Sequence, residues 1–130
     1  MKRVLLITAV FLGGPVAVAS TVVDELMNEF RAGSAVEFSA ERGRELWNAT
    51  TDHNGEARSC TSCHTSDLRK PGKHASTGKP IDALAPSVNP TRLTQRSEIE
   101  KWFGRNCKWT YGRVCTAEEK GHFLAYMRNQ

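Results

Sequence analysis

Apolar positions in this chain recur with a helical period near both ends. Val23, Leu26, Met27 and Phe30 fall at i, i+3, i+4 and i+7, one face of a helix from about Thr21 to Arg31 that Gly33-Ser34 should end. Ser39 to Trp47 reads as a second short helix with Ser39 as its N-cap. Gly43 and Trp47 share a face of it, and a glycine there admits a close helix neighbour. Thr94 is expected to cap a third helix through Phe103, with Ile99, Trp102 and Phe103 as its apolar face and Gly104 as its stop. The last helix is marked by a capping box, Thr116-Ala117-Glu118-Glu119, and by a buried stripe of Ala117, Phe123, Leu124 and Met127.

Between these segments the pattern breaks. Asn48 to Arg58 is polar and turn-like, with Asn54-Gly55 as its clearest turn signal. After His64 comes a long irregular stretch holding Pro71, Pro80, Pro86 and Pro90, with neither helical nor strand period. A loop of that length in a small domain is usually functional or disordered. No strand run or repeat is visible, so the expected fold class is all-α, with long loops between helices.

Lys2-Arg3, an apolar run from Val4 and the A-x-A site Ala17-Val18-Ala19 describe a secretory signal peptide over residues 1–19, cleaved after Ala19. A retained membrane anchor is the alternative, but the run is short and broken by Gly13-Gly14-Pro15. Residues 20–130 then form one domain, exported to the periplasm. Removing Lys2 and Arg3 lowers the formal charge from +4 to +2, which makes nucleic acid a poor partner. The charge is uneven: residues 20–57 hold three Lys/Arg against eight Asp/Glu, and residues 58–114 hold eleven against four.

The basic half contains the chemistry. Cys60-Thr61-Ser62-Cys63-His64 has the C-x-x-C-H spacing that attaches a c-type haem. Two thiols at this spacing match the two vinyl groups, and the next residue carries an imidazole to the iron. Cys60 and Cys63 are the expected thioether anchors of one haem c, and His64 the proximal ligand. A thioredoxin-type pair would need a βαβ context, and a zinc ribbon a second close Cys pair; neither is visible. Cys107 and Cys115, eight positions apart, suit a disulfide better than a metal knuckle, and can pair only with each other if the other two hold haem.

Function then turns on the sixth iron ligand, because an electron carrier keeps strong ligands in both oxidation states whereas a gas binder needs a position easily vacated. No Met lies between His64 and Met127, and both Met27 and Met127 sit on core stripes. His53 reads as a solvated turn residue and His122 as exposed at the edge of the last helix. His74, in the Pro/Gly loop, is a candidate loop ligand. Asn106 reads either as a ligand or as a residue ending the third helix, and a neighbouring disulfide would fix where it points.

Ala40-Glu41-Arg42-Gly43-Arg44, the haem motif, Leu84-Ala85-Pro86-Ser87, Glu100-Lys101-Trp102-Phe103-Gly104-Arg105-Asn106-Cys107 and Gly112-Arg113-Val114-Cys115-Thr116 resemble, in the same order, the sphaeroides haem protein-like family of class I c-type cytochromes. The resemblance implies a class I cytochrome c-like fold. It also implies ferric ligation by His64 and Asn106, and a disulfide Cys107–Cys115 beside the latter. It further implies release of Asn106 on reduction, binding of oxygen or nitric oxide at the ferrous iron, and a di-haem c-type cytochrome as electron donor, with the membrane reached only through redox partners.

The alternative is a plain electron carrier, six-coordinate in both states, with His74 or another residue as distal ligand. Catalysis of peroxide or nitrogen-oxide chemistry would need a proton donor over the iron, and no residue is singled out for it. Arg69, Lys70, Lys73, Lys79, Arg92 and Arg96 read as a solvated surface, as neutralisers of haem propionates, or as a steering patch for an acidic partner.

Overall fold

The computed structural model describes residues 21–130; the expected signal peptide lies outside them. Helix α1, Val22–Ala32, begins at a capping box in which Thr21 and Asp24 bond each other's backbone N–H. Helix α2, Ala40–Asn48, starts where the Ser39 hydroxyl accepts from the Arg42 N–H at 3.2 Å. A hairpin follows, β1 (Thr51–His53) against β2 (Glu56–Arg58), and then a single 3₁₀ turn, Cys60–Ser62. A two-residue pair, β3 (Gly72–Lys73) with β4 (Pro80–Ile81), interrupts the long loop. Helices α3 (Arg96–Tyr111) and α4 (Ala117–Arg128) complete the fold.

The expectation of no strands is corrected by the two small hairpins. Asn54 and Gly55 both take positive φ, 56° and 80°, the turn whose twist matches two antiparallel strands. That turn pairs a polar segment in which no apolar alternation announces a strand.

The third helix also differs from its expected bounds. Thr94 does not cap it: Gln95 holds the N-cap position without a side-chain bond, and the Thr94 hydroxyl turns back to the Thr91 carbonyl at 2.7 Å. Gly104 does not stop it either. The helix runs on to Tyr111 and ends at left-handed Gly112, φ 69°. An interior glycine costs a helix only about 1 kcal/mol, and continuing buries Cys107 and Thr110. Trp102, expected on the apolar face, is 44% exposed.

Two apolar clusters form the core. Val23, Leu26, Met27, Ile99, Leu124 and Ala125 join α1, α3 and α4. Trp47, Leu68, Ala85, Cys107, Cys115, Phe123 and Tyr126 form the second, with Cys60, Leu84, Phe103 and Tyr111 packed against it. Helix α4 serves both, and α2 crosses it at Gly43, where a β-carbon would lie 2.1 Å from the His122 carbonyl oxygen. Met27 and Met127 are packing residues, as their stripes predict. Among the described residues no helix is long and apolar enough to cross a membrane.

Candidate haem site

The C-x-x-C-H segment is wound tightly by its own small polar residues. The Ser59 N–H donates to the Ser62 hydroxyl at 3.1 Å, and the Cys60 carbonyl accepts from the N–H groups of Cys63 at 3.3 Å and His64 at 3.0 Å. One turn of this kind carries residues i and i+3 to the same side, so Cys60 and Cys63 project together. Neither is in a disulfide. The β3 strand lies along the motif, with the Lys73 N–H donating to the Cys63 carbonyl at 2.7 Å.

His64 is oriented by Trp47. The two rings lie 5.5 Å apart, and the indole N–H donates to the Thr65 carbonyl at 3.1 Å, fixing the backbone just beyond the imidazole. Burial, with the Arg92 guanidinium adding to it, pushes the His64 imidazole down to about 4, so at neutral pH its lone pair is free of a proton. Arg92 is held in place by the carbonyls of Ala83 at 3.0 Å and Asp82 at 3.1 Å. Burial pushes the Cys60 thiol up to about 12, which suits a thioether anchor and not a thiolate redox centre. No three of His, Cys, Asp and Glu converge among the described residues.

Asn106 lies inside α3, not at its end, which removes the helix-ending reading. At about 100° per residue it stands roughly 20° from Ile99 and 40° from Thr110 around the helix. Those two are buried, yet Asn106 is exposed, and its amide bonds to none of the described residues. Its neighbour Cys107 is buried and joined to Cys115, with Cα atoms 5.5 Å apart. Cys107 and Cys60 belong to one apolar cluster, so the fold draws the disulfide unit and the haem motif to the same core. The donor set suits a covalently held haem: two free thiols on one side of the turn, a neutral imidazole, an apolar surround and an exposed amide on α3.

The other histidines are engaged elsewhere. His122 is buried at 5% exposure, correcting its expected place on the surface. Its Nδ1 accepts from the Ser39 N–H at 2.9 Å and its ring lies 5.8 Å from Phe38, so it ties α2 to α4. His53 is half-buried over Gly112. His74 is exposed, and its Nδ1 accepts from the N–H groups of Ser76 and Thr77, both at 3.2 Å. Of the basic residues, Arg69 pairs with Asp67 and Arg96 with Glu29, whereas Lys70, Lys73 and Lys79 are exposed. The Trp47–His64 contact spans 17 positions of sequence and the charge of Arg92 acts on His64 across 28, so neither has a local signal.

Residues 33–127 match the family described as "Domain of unknown function (DUF1924)". Over 131 aligned residues, covering all of both chains, the sequence is 40% identical to cytochrome c-type protein SHP of Cereibacter sphaeroides. The structure of oxidized SHP, an oxygen-binding cytochrome c, superposes with a TM-score of 0.78 over 86% of this chain and all of that one. Oxidized cytochrome c″ of Methylophilus methylotrophus superposes at 0.73 with 31% identity, over 84% of this chain and 94% of that one. The chain thus belongs to the DUF1924 family, among the SHP-like class I c-type cytochromes, and its homologues imply covalently bound haem c.

Proposed function

We propose that this chain is a periplasmic mono-haem cytochrome that accepts one electron, releases Asn106 from the iron and then takes up a small diatomic ligand. Cys60 and Cys63 would hold the haem as thioethers and His64 would ligate its iron. The haem supplies a one-electron iron centre with one exchangeable position. The rest is the work of the chain's own residues. Trp47 sets the imbalance between the two faces by fixing the His64 side, while Asn106 closes the other side with its amide Oδ1. A neutral, hard amide oxygen suits ferric iron better than the softer ferrous ion, whereas imidazole suits both. Adding an electron therefore weakens the Asn106 bond more than the His64 bond.

The observation that carries this reading is the exposed, unpartnered Asn106 amide on the core-facing side of α3, next to the buried Cys107. SHP, 40% identical, is described as an oxygen-binding cytochrome c, which supports oxygen or nitric oxide as the ligand class. The proposed donor is a di-haem c-type cytochrome, met in the periplasm after removal of residues 1–19. The six-coordinate carrier ligated by His74 is disfavoured because His74 is exposed and its Nδ1 accepts from its own turn, which places the ring proton on Nε2 and leaves that nitrogen no lone pair for iron. Carbon monoxide added to the dithionite-reduced protein tests the proposal: the Soret band should shift at micromolar gas. A low-spin ferrous spectrum indifferent to carbon monoxide would defeat it.

A further inference from the structure

The β1–β2 hairpin grips the last turn of α3. Thr51 Oγ1 donates to the Thr110 carbonyl at 2.7 Å and Arg58 Nη1 to the Trp109 carbonyl at 2.9 Å. Both carbonyls lie in the final turn, where a helix offers no partner of its own. The Arg58 guanidinium also lies 4.8 Å over the Trp109 ring and pairs with Glu56 at 2.6 Å, leaving its side chain 19% exposed. Arg58 stands two residues before Cys60, and Trp109 three after Asn106. One side chain therefore joins the segment that anchors haem to the helix that carries the distal amide.

We propose that Arg58 is a positioning residue for Asn106: through Trp109 it sets the spacing between α3 and the Cys60 attachment. This rests on Asn106 being the ferric ligand. A ligand bond is short and directional, so slack between the two segments weakens it. Because Asn106 favours the ferric state, a weaker bond raises the reduction potential. Loss of a nearby cation by itself does the opposite, since removing positive charge favours ferric iron. The sign of the shift separates positioning from electrostatics.

The test is spectroelectrochemical titration of the holoprotein, with ferric spectra, for Arg58→Met, Thr51→Val, Asn106→Ala and Arg58→Met combined with Asn106→Ala. Arg58→Met should weaken ferric ligation roughly tenfold, adding high-spin ferric signal and raising the midpoint by about 59 mV for one electron. Thr51→Val, which removes a neighbouring donor and no charge, should shift it the same way by less. The rise from Arg58→Met should not appear when Asn106 is already alanine. A fall in midpoint, no shift in either variant, or an equal rise in the Asn106→Ala background overturns the positioning role. A ferric spectrum unchanged by Asn106→Ala alone overturns the ligand reading beneath it.

Discussion

Ile99 and Asn106 stand two turns apart on one face of α3, and only Ile99 is buried. Ile99 packs with Leu26 and Leu124, whereas Asn106 lies beyond that cluster and beside the one that holds Cys107 and borders Cys60. The face changes neighbour along its length. Its first half packs into the α1–α4 cluster, and its second half carries the exposed Asn106 amide between buried Cys107 and Thr110 and solvent.

That second half is held by a covalent bridge. Replacing Cys107 and Cys115 together by alanine reopens an eight-residue separation, and the chain-entropy cost is roughly 2.5 kcal/mol. The double variant should lose about that much in guanidinium unfolding of the holoprotein, and its ferric spectrum should gain high-spin character as Asn106 loosens.

The contact of α2 with α4 is equally exacting. A β-carbon on Gly43 would lie 2.1 Å from the His122 carbonyl oxygen and 2.7 Å from Tyr126 Cβ, atoms that cannot move without their helix. Gly43→Ala should cost about 1–3 kcal/mol by overpacking, read as a lower denaturation midpoint. Trp47 lies on α2, so the Soret band should broaden as the seat of His64 shifts.

The stability of the loop between α3 and α4 should depend on pH through Glu119. Glu119 bonds Arg113 at 2.7 Å and the Thr116 N–H at 2.8 Å, and the Arg113 bond first of all holds its carboxyl below the usual 4.5. The folded state thus binds its proton less tightly than the unfolded chain, so its contribution is full above about 4.5 and fades as pH falls through the lowered value. Glu119→Gln should be less stable than the parent at pH 7, with the difference shrinking below pH 4.5 in parallel urea titrations.

What could be read from sequence was local. The haem motif, the Ser39 cap, the Thr116–Glu119 capping box and the close approach at Gly43 depend on residues a few positions apart, and the structure contains each of those caps and that contact. What escaped depends on tertiary partners. Gly104 looked like a stop because nothing in sequence says that Cys107 and Thr110 will be buried beyond it. His122 looked exposed because its partner, the Ser39 N–H, lies 83 positions away. The proposed haem site divides in the same way: its expected anchors lie in five consecutive residues, while the neighbours Trp47, Arg92 and Arg58 reach it only through the fold.

The proposed closing of the ferric iron by Asn106 and its release from the ferrous one are tested by a pair of ferric and ferrous spectra for the parent beside Asn106→Met. Methionine is a soft donor that holds iron in both states. The parent should be low-spin when ferric and high-spin when ferrous, whereas the variant should be low-spin in both and indifferent to carbon monoxide. Two proteins with the same spectra in both states would show that Asn106 is not the switch.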